Sequence, residues 1–160
     1  MNKKKTKKAK KTKTTPPSVE DIRRKCIERI ERQKGCKLVR REPRKKTIYE
    51  NKNKKITVVC LYSKEHEKKN INDAGFWFTF HSNHKDSLLI YNNGYLGLGC
   101  GTEKTIILIP KRKFINLLDG LPSINQRGLD YFLRIEKMNG KFFIDTRQDV
   151  RYIPVQNYLI

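Results

Sequence analysis

Several of the usual chemical signatures are missing from this chain. The four cysteines, Cys26, Cys36, Cys60 and Cys100, include no C-x-x-C pair, so neither a disulfide framework nor a paired-thiolate zinc site is written in their spacing. No apolar run approaches the ~20 residues that span a bilayer, and no secretory leader precedes the first polar segment, which points to a soluble protein of a reducing intracellular compartment. There are three histidines and one tryptophan. The glycines of Gly97-Leu98-Gly99-Cys100-Gly101 do not form a phosphate loop, because G-x-x-x-x-G-K-[ST] must open a helix and this run leads into a strand. No segment recurs at a fixed period, which excludes a solenoid or propeller.

Acidic residues are the scarcest class relative to need. Lysine and arginine number 37 against 16 aspartates and glutamates, a formal net charge of +21. Residues 1–17 contain Lys3, Lys4, Lys5, Lys7, Lys8, Lys10, Lys11 and Lys13, no acid, and a terminal proline pair. Such a stretch cannot bury enough apolar surface to offset its ordering entropy, so it reads as a disordered basic arm. Residues 18–160 read as one domain with +13 of its own, and Arg40, Arg41, Arg44, Lys45 and Lys46 form its densest basic cluster. So large an excess favours a polyanionic partner, DNA or RNA, contacted mainly through phosphates. The richness in lysine, asparagine and isoleucine also fits a codon bias without selection for binding, and an interaction domain of a larger assembly with incidental charge stays open.

Periodicity divides the rest into an α+β order, with a single, mainly antiparallel sheet of about six or seven strands expected. Ser18 with Asp21 has the form of a capping box, and Val19, Ile22, Cys26, Ile27 and Ile30 recur at helical spacing until Gly35. An edge strand over Cys36–Arg41 and a hairpin around 51–54 follow. Lys64 to Asp73 reads as a charged loop. In Gly75–His81, Phe76, Phe78 and Phe80 point to a core while Trp77, Thr79 and His81 point the other way. Residues 84–93 are a short helix or an irregular crossing. In Tyr95–Gly101 alternate glycines leave one face bare, most simply to make room for Trp77. Thr105–Ile109 is apolar on both faces and is expected near the middle of the sheet. A short internal helix from Lys111 packs on the sheet, and Asn139-Gly140 marks a hairpin between alternating runs. Tyr158, Leu159 and Ile160 are expected to anchor the C-terminus.

Three constellations could carry chemistry. Glu50 and Glu67 with Lys69 have the residue types of a metal-dependent nuclease, in which acids hold a divalent ion and lysine helps activate water. His81 and His84 could instead act as acid and base in a metal-free ribonuclease, with Lys64 or Arg112 stabilising the charged intermediate, or, with His66 or Cys100, supply a weak zinc set. None of these spacings is specific, so no cofactor, metal or catalytic activity is assigned. Trp77 and His81 could form a floor on which an unpaired base stacks beside phosphate-binding cations. The plainer reading places Trp77 in the core, where a lone tryptophan in a dense strand usually lies.

Overall fold

The computed structural model describes residues 16–42, 44–67, 73–125, 129–146 and 151–160. The expected arm lies outside these, apart from Pro16 and Pro17.

The first element, α1 (Val19–Lys34), is bounded as its sequence requires. The Ser18 hydroxyl accepts from the Asp21 amide at 3.1 Å while the Asp21 carboxylate returns to Ser18, and Gly35 closes the helix in the left-handed region at φ 64°. Strands β1 (Leu38–Arg40), β2 (Ile48–Asn51), β3 (Ile56–Ser63), β6 (Asn93–Cys100) and β7 (Ile106–Pro110) form a five-stranded sheet in that spatial order. Strands β4 (His66–Glu67), β5 (Ala74–Phe80), β8 (Ser123–Asn125), β9 (Leu129–Met138), β10 (Lys141–Asp145) and β11 (Tyr152–Pro154) form a second sheet, ordered β11-β10-β9-β5-β4, with β8 beside the start of β9. Helices α2 (Ser82–Ile90) and α3 (Lys111–Ile115) lie in the connections flanking β6 and β7.

The α+β class is as expected, with an N-terminal helix and largely antiparallel pairing, but eleven strands in two sheets replace the single sheet of about six or seven. The short β1, β4, β8 and β11 account for the surplus, since two or three residues carry too little periodicity to be read from sequence. The one parallel pair, β3 with β6, is joined by a crossover that contains β4, β5 and α2.

Two apolar layers result. One joins the sheets face to face: Val59, Leu61, Leu96 and Leu98 of the first meet Phe76, Phe78, Phe80, Leu133 and Ile135 of the second. The other lies between α1 and the far side of the first sheet, where Ile22, Cys26, Ile27 and Ile30 pack on Val58, Cys60, Ile106 and Leu108. The order is helix, sheet, sheet, and the bare glycines mark the first junction. A Cβ on Gly97 would lie 3.0 Å from Ile30 Cδ1, and one on Gly99 would lie 3.1 Å from Cys26 Sγ. These glycines therefore admit α1, and the expectation that they accommodate Trp77 is wrong, because Trp77 belongs to the other sheet.

A second correction concerns Thr105–Ile109. Its apolar residues form β7, an edge strand rather than a central one. Both of its faces are covered, and its open edge is taken by the C-terminus: Leu159 bridges Ile107, and the Ile160 amide donates to the Ile106 carbonyl at 3.0 Å. The tail thus anchors as expected, and it shields an edge that would otherwise invite pairing with another chain. The Asn139-Gly140 turn has φ of 50° and 77° and sets Met138 opposite Lys141, the left-handed pair that a tight two-residue hairpin needs.

Candidate nucleic-acid interface

α1 covers the outer face of the first sheet, whereas no helix among the described residues packs on the outer face of the second. Strand alternation fixes what that open face presents. In β5, Phe76, Phe78 and Phe80 point into the core, so Trp77 and Thr79 point out. The cross-strand registers then build two rows. Trp77 stands opposite Arg134, Arg134 opposite Asp145, and Asp145 opposite Tyr152. Alongside runs His66 opposite Gly75, Gly75 opposite Glu136, Glu136 opposite Phe143, and Phe143 opposite Pro154. Phe132 faces Thr79 one step along.

Trp77 is therefore not core. Its side chain is 55 % exposed, and Phe132 at 43 % and Tyr152 at 44 % share the face. The His66 ring lies on the indole with centroids 4.3 Å apart and planes 10° from parallel, and the Arg134 guanidinium sits 5.6 Å from the indole centroid. Gly75, opposite His66, leaves the space through which the imidazole reaches Trp77. Arg134 is held in turn by the carboxylates of Glu136 and Asp145, the latter at 3.9 Å. Glu136 is 1 % exposed, although its strand position points outward.

The sheet is interrupted beside this group. β8 pairs with β9 as far as Ser123–Tyr131, and β10 pairs on the same side of β9 only as far as Asp145–Arg134. Phe132 and Leu133 lie in the gap, where the Phe132 amide donates to the Pro122 carbonyl at 2.9 Å. A groove of about 350 Å³ opens there, walled by Trp77, Pro122, Phe132, Arg134 and Asp145. Its volume is at the lower end for small-molecule sites, and its walls are aromatic with few polar groups.

No family model, curated protein or solved structure matches the chain. Function is therefore read from this geometry.

The other predicted residues are distributed elsewhere. Arg40 pairs with Glu20 of α1, Arg41 reaches Glu50 at 3.9 Å, and Lys45 reaches Glu42 at 2.9 Å. Arg44 and Lys46 are exposed. This cluster flanks the outer end of the first sheet, next to α1, and not the Trp77 face. Exposed pairs of this kind are worth little and exchange readily for phosphate contacts.

Glu50 lies on β2, where it also accepts from the Tyr91 hydroxyl at 3.1 Å, while Glu67 belongs to β4 of the other sheet and Lys69 lies outside the described residues. Among the described residues no cluster of three or more His, Cys, Asp or Glu is placed to hold a metal. Lys64 and Arg112 are exposed, the latter on α3, and Cys100 is buried in the intersheet core.

His81 and His84 do come together, with centroids 5.2 Å apart, and their roles differ. His81 caps the N-terminus of α2 rather than extending β5, and its Nδ1 lies 3.0 Å from the Asp130 carboxylate, which holds that carboxyl below its usual range. His84 is 4 % exposed. Its Nδ1 accepts from the His81 amide at 3.1 Å, which leaves the Nε2 hydrogen to donate to the Thr47 hydroxyl at 3.0 Å. Burial, reinforced by His81, lowers its pKa to about 4. A ring occupied on both nitrogens serves as a cap.

Phe132, Arg134, Asp145, Tyr152 and the His66 stack were not singled out from the sequence. The alternation of 131–136 placed Phe132 and Arg134 on one face, and the Asn139-Gly140 turn carried the register that sets Arg134 opposite Asp145.

Proposed function

We propose that the chain is a nucleic-acid-binding protein without catalysis of its own. Unpaired bases lie on the open face around Trp77, and the lysine arm with the surrounding cations holds phosphates. The observation that carries this reading is Trp77 itself, more than half exposed on an uncovered sheet face with Phe132 and Tyr152 beside it. Exposed aromatics on an open sheet are how single strands are commonly bound, because every base has a face to stack, worth about 1–3 kcal/mol per base. His66 already rests on the indole as a base would, which demonstrates room for a planar ring parallel to it. The net charge of +21 supplies the sequence-independent attraction.

Division of labour follows from local charge. Around Trp77 one cation, Arg134, is set against two carboxylates, Glu136 and Asp145, so this face is suited to a neutral base and repels phosphate. Phosphates are then taken by the arm and by exposed cations such as Lys64, Arg44 and Lys46.

Filter binding of the full chain and of a variant lacking residues 1–17 to single-stranded and duplex nucleic acid tests this. Tighter binding of single strands, weakening steeply with salt and weakened again by arm removal, is the expected result. No binding by either form overturns it, and salt-insensitive capture of a protein instead points to an assembly module. Cleavage of plasmid or RNA in the presence of magnesium or a chelator would replace it with a nuclease.

A further inference from the structure

We infer that the groove at the gap between β8 and β10 is a reading site for a single unpaired guanine within a strand, with Asp145 as the group that selects it. The inference rests on the nucleic-acid reading above and goes beyond stacking, which does not distinguish bases. Three features of the groove converge on it.

First, the groove is bordered on one side by Trp77 and on the other by Phe132, both exposed, so a planar ring entering it has aromatic surface to lie against. Second, its polar wall is a carboxylate. Asp145 lines the groove and is held from one side by Arg134 at 3.9 Å. An ionised carboxylate is acceptor-only, with two oxygens and about four lone-pair sites, so contact with Arg134 leaves it capacity to accept from a ligand. Third, the carboxylates outnumber the cation on this face, which disfavours a phosphate in the groove and orients the nucleotide with its base inward.

The choice among bases follows from donor patterns on their Watson–Crick edges. Guanine presents two adjacent donors, N1–H and the N2 amino group, which match the two oxygens of one carboxylate. Adenine and cytosine each pair one amino donor with an acceptor nitrogen, which a carboxylate would repel. Uracil and thymine flank their single donor with two carbonyl acceptors. A site built to accept two hydrogen bonds rejects a partner that cannot donate them, since its buried acceptors would lose solvent without compensation.

The full-length protein can report this directly, because Trp77 is the sole tryptophan and its fluorescence responds to a base in the groove. Uridine oligomers of about eight nucleotides, a length within the range of one binding site, are titrated with a central uridine either kept or replaced by guanosine, adenosine or cytidine. A thymidine series separates DNA from RNA, and GMP alone separates a strand from a free nucleotide.

The guanosine-containing oligomer is expected to bind about ten- to a hundredfold more tightly than the all-uridine one, with GMP at least as much weaker than the oligomer. Asp145→Asn is expected to bring the guanosine-to-uridine ratio close to one, and a retained thermal transition with continued quenching by oligomer shows that the variant is folded. Equal affinities for all four oligomers with Trp77 still quenched overturn guanine selection and leave the stacking reading standing. Absence of quenching and binding by every oligomer overturns both. GMP binding as tightly as the oligomer overturns the strand as occupant, and an unchanged ratio in a folded Asp145→Asn removes Asp145 as the reader.

Discussion

The two outer sheet faces solve opposite problems. On the first sheet the face toward α1 carries Gly97 and Gly99, with Ile30 and Cys26 pressed into the space where their side chains would be. On the second, Trp77, Phe132 and Tyr152 stand exposed, with a buried Glu136 among them. Small residues occur where a helix must approach, and large aromatics where nothing in the described chain does. Neither pattern is decided by hydrophobicity alone: the glycine face is the more buried of the two although it has the less apolar surface. A contiguous aromatic surface left uncovered is the kind that marks an interaction site.

Four perturbations would break or sharpen this contrast. The largest effect concerns the charge that brings a ligand to the open face. If about six to eight arm lysines engage phosphates, affinity for a single strand falls on the order of a thousandfold between about 50 mM and 200 mM salt, and deletion of residues 1–17 flattens that slope in a salt titration. Next comes pH, through the buried member of the histidine pair. His84 is neutral in the fold with a pKa of about 4, while the unfolded chain takes up the proton near its ordinary 6.5. Protons therefore favour the unfolded state between those values, so stability is complete above about pH 6.5 and declines as pH falls toward 4, by up to about 3 kcal/mol. Urea melts across that range should show the decline, and His84→Gln should flatten it.

Third, Gly97→Val forces two methyl groups against Ile30 on the covered face and should cost roughly 1–3 kcal/mol, read as a lowered urea midpoint with little change in slope. Trp77→Ala on the open face has the smallest effect on folding, within about 1 kcal/mol, yet should weaken single-strand binding about five- to a hundredfold. If the tryptophan variant lost as much stability as the glycine variant while binding was unaltered, the two faces would not differ in the way described.

How much of this was legible before the structure depends on whether the signal was local. The capping of α1 by Ser18 and Asp21, the inward phenylalanines of β5 and the Asn139-Gly140 turn all depend on a few adjacent residues, and all appear as read. Misreadings arose where the answer depended on a distant layer. Gly97 and Gly99 announced a close approach, but whether by Trp77 or by α1 depends on which sheet each strand joins, and nothing in the run Tyr95–Gly101 carries that. Trp77 was assigned to the core because a lone tryptophan usually is. Once two sheets are recognised the alternative is forced: two faces meet each other, one long helix covers a third, and the fourth stays open. The acids told a similar story. Glu50 and Glu67 were considered together for their residue types, but they sit on different sheets, while Arg134 and Asp145 became neighbours through a hairpin register that could have been counted out from the turn: four residues back from Met138 and four on from Lys141.

The fluorescence of Trp77, followed as a single-stranded uridine oligomer is added at low salt, tests the central claim most directly. Saturable quenching that tracks binding, and that moves to higher oligomer concentration as salt is raised, is the predicted result. Tight binding of the strand with an emission spectrum that never changes would place the nucleic acid on another surface and contradict it.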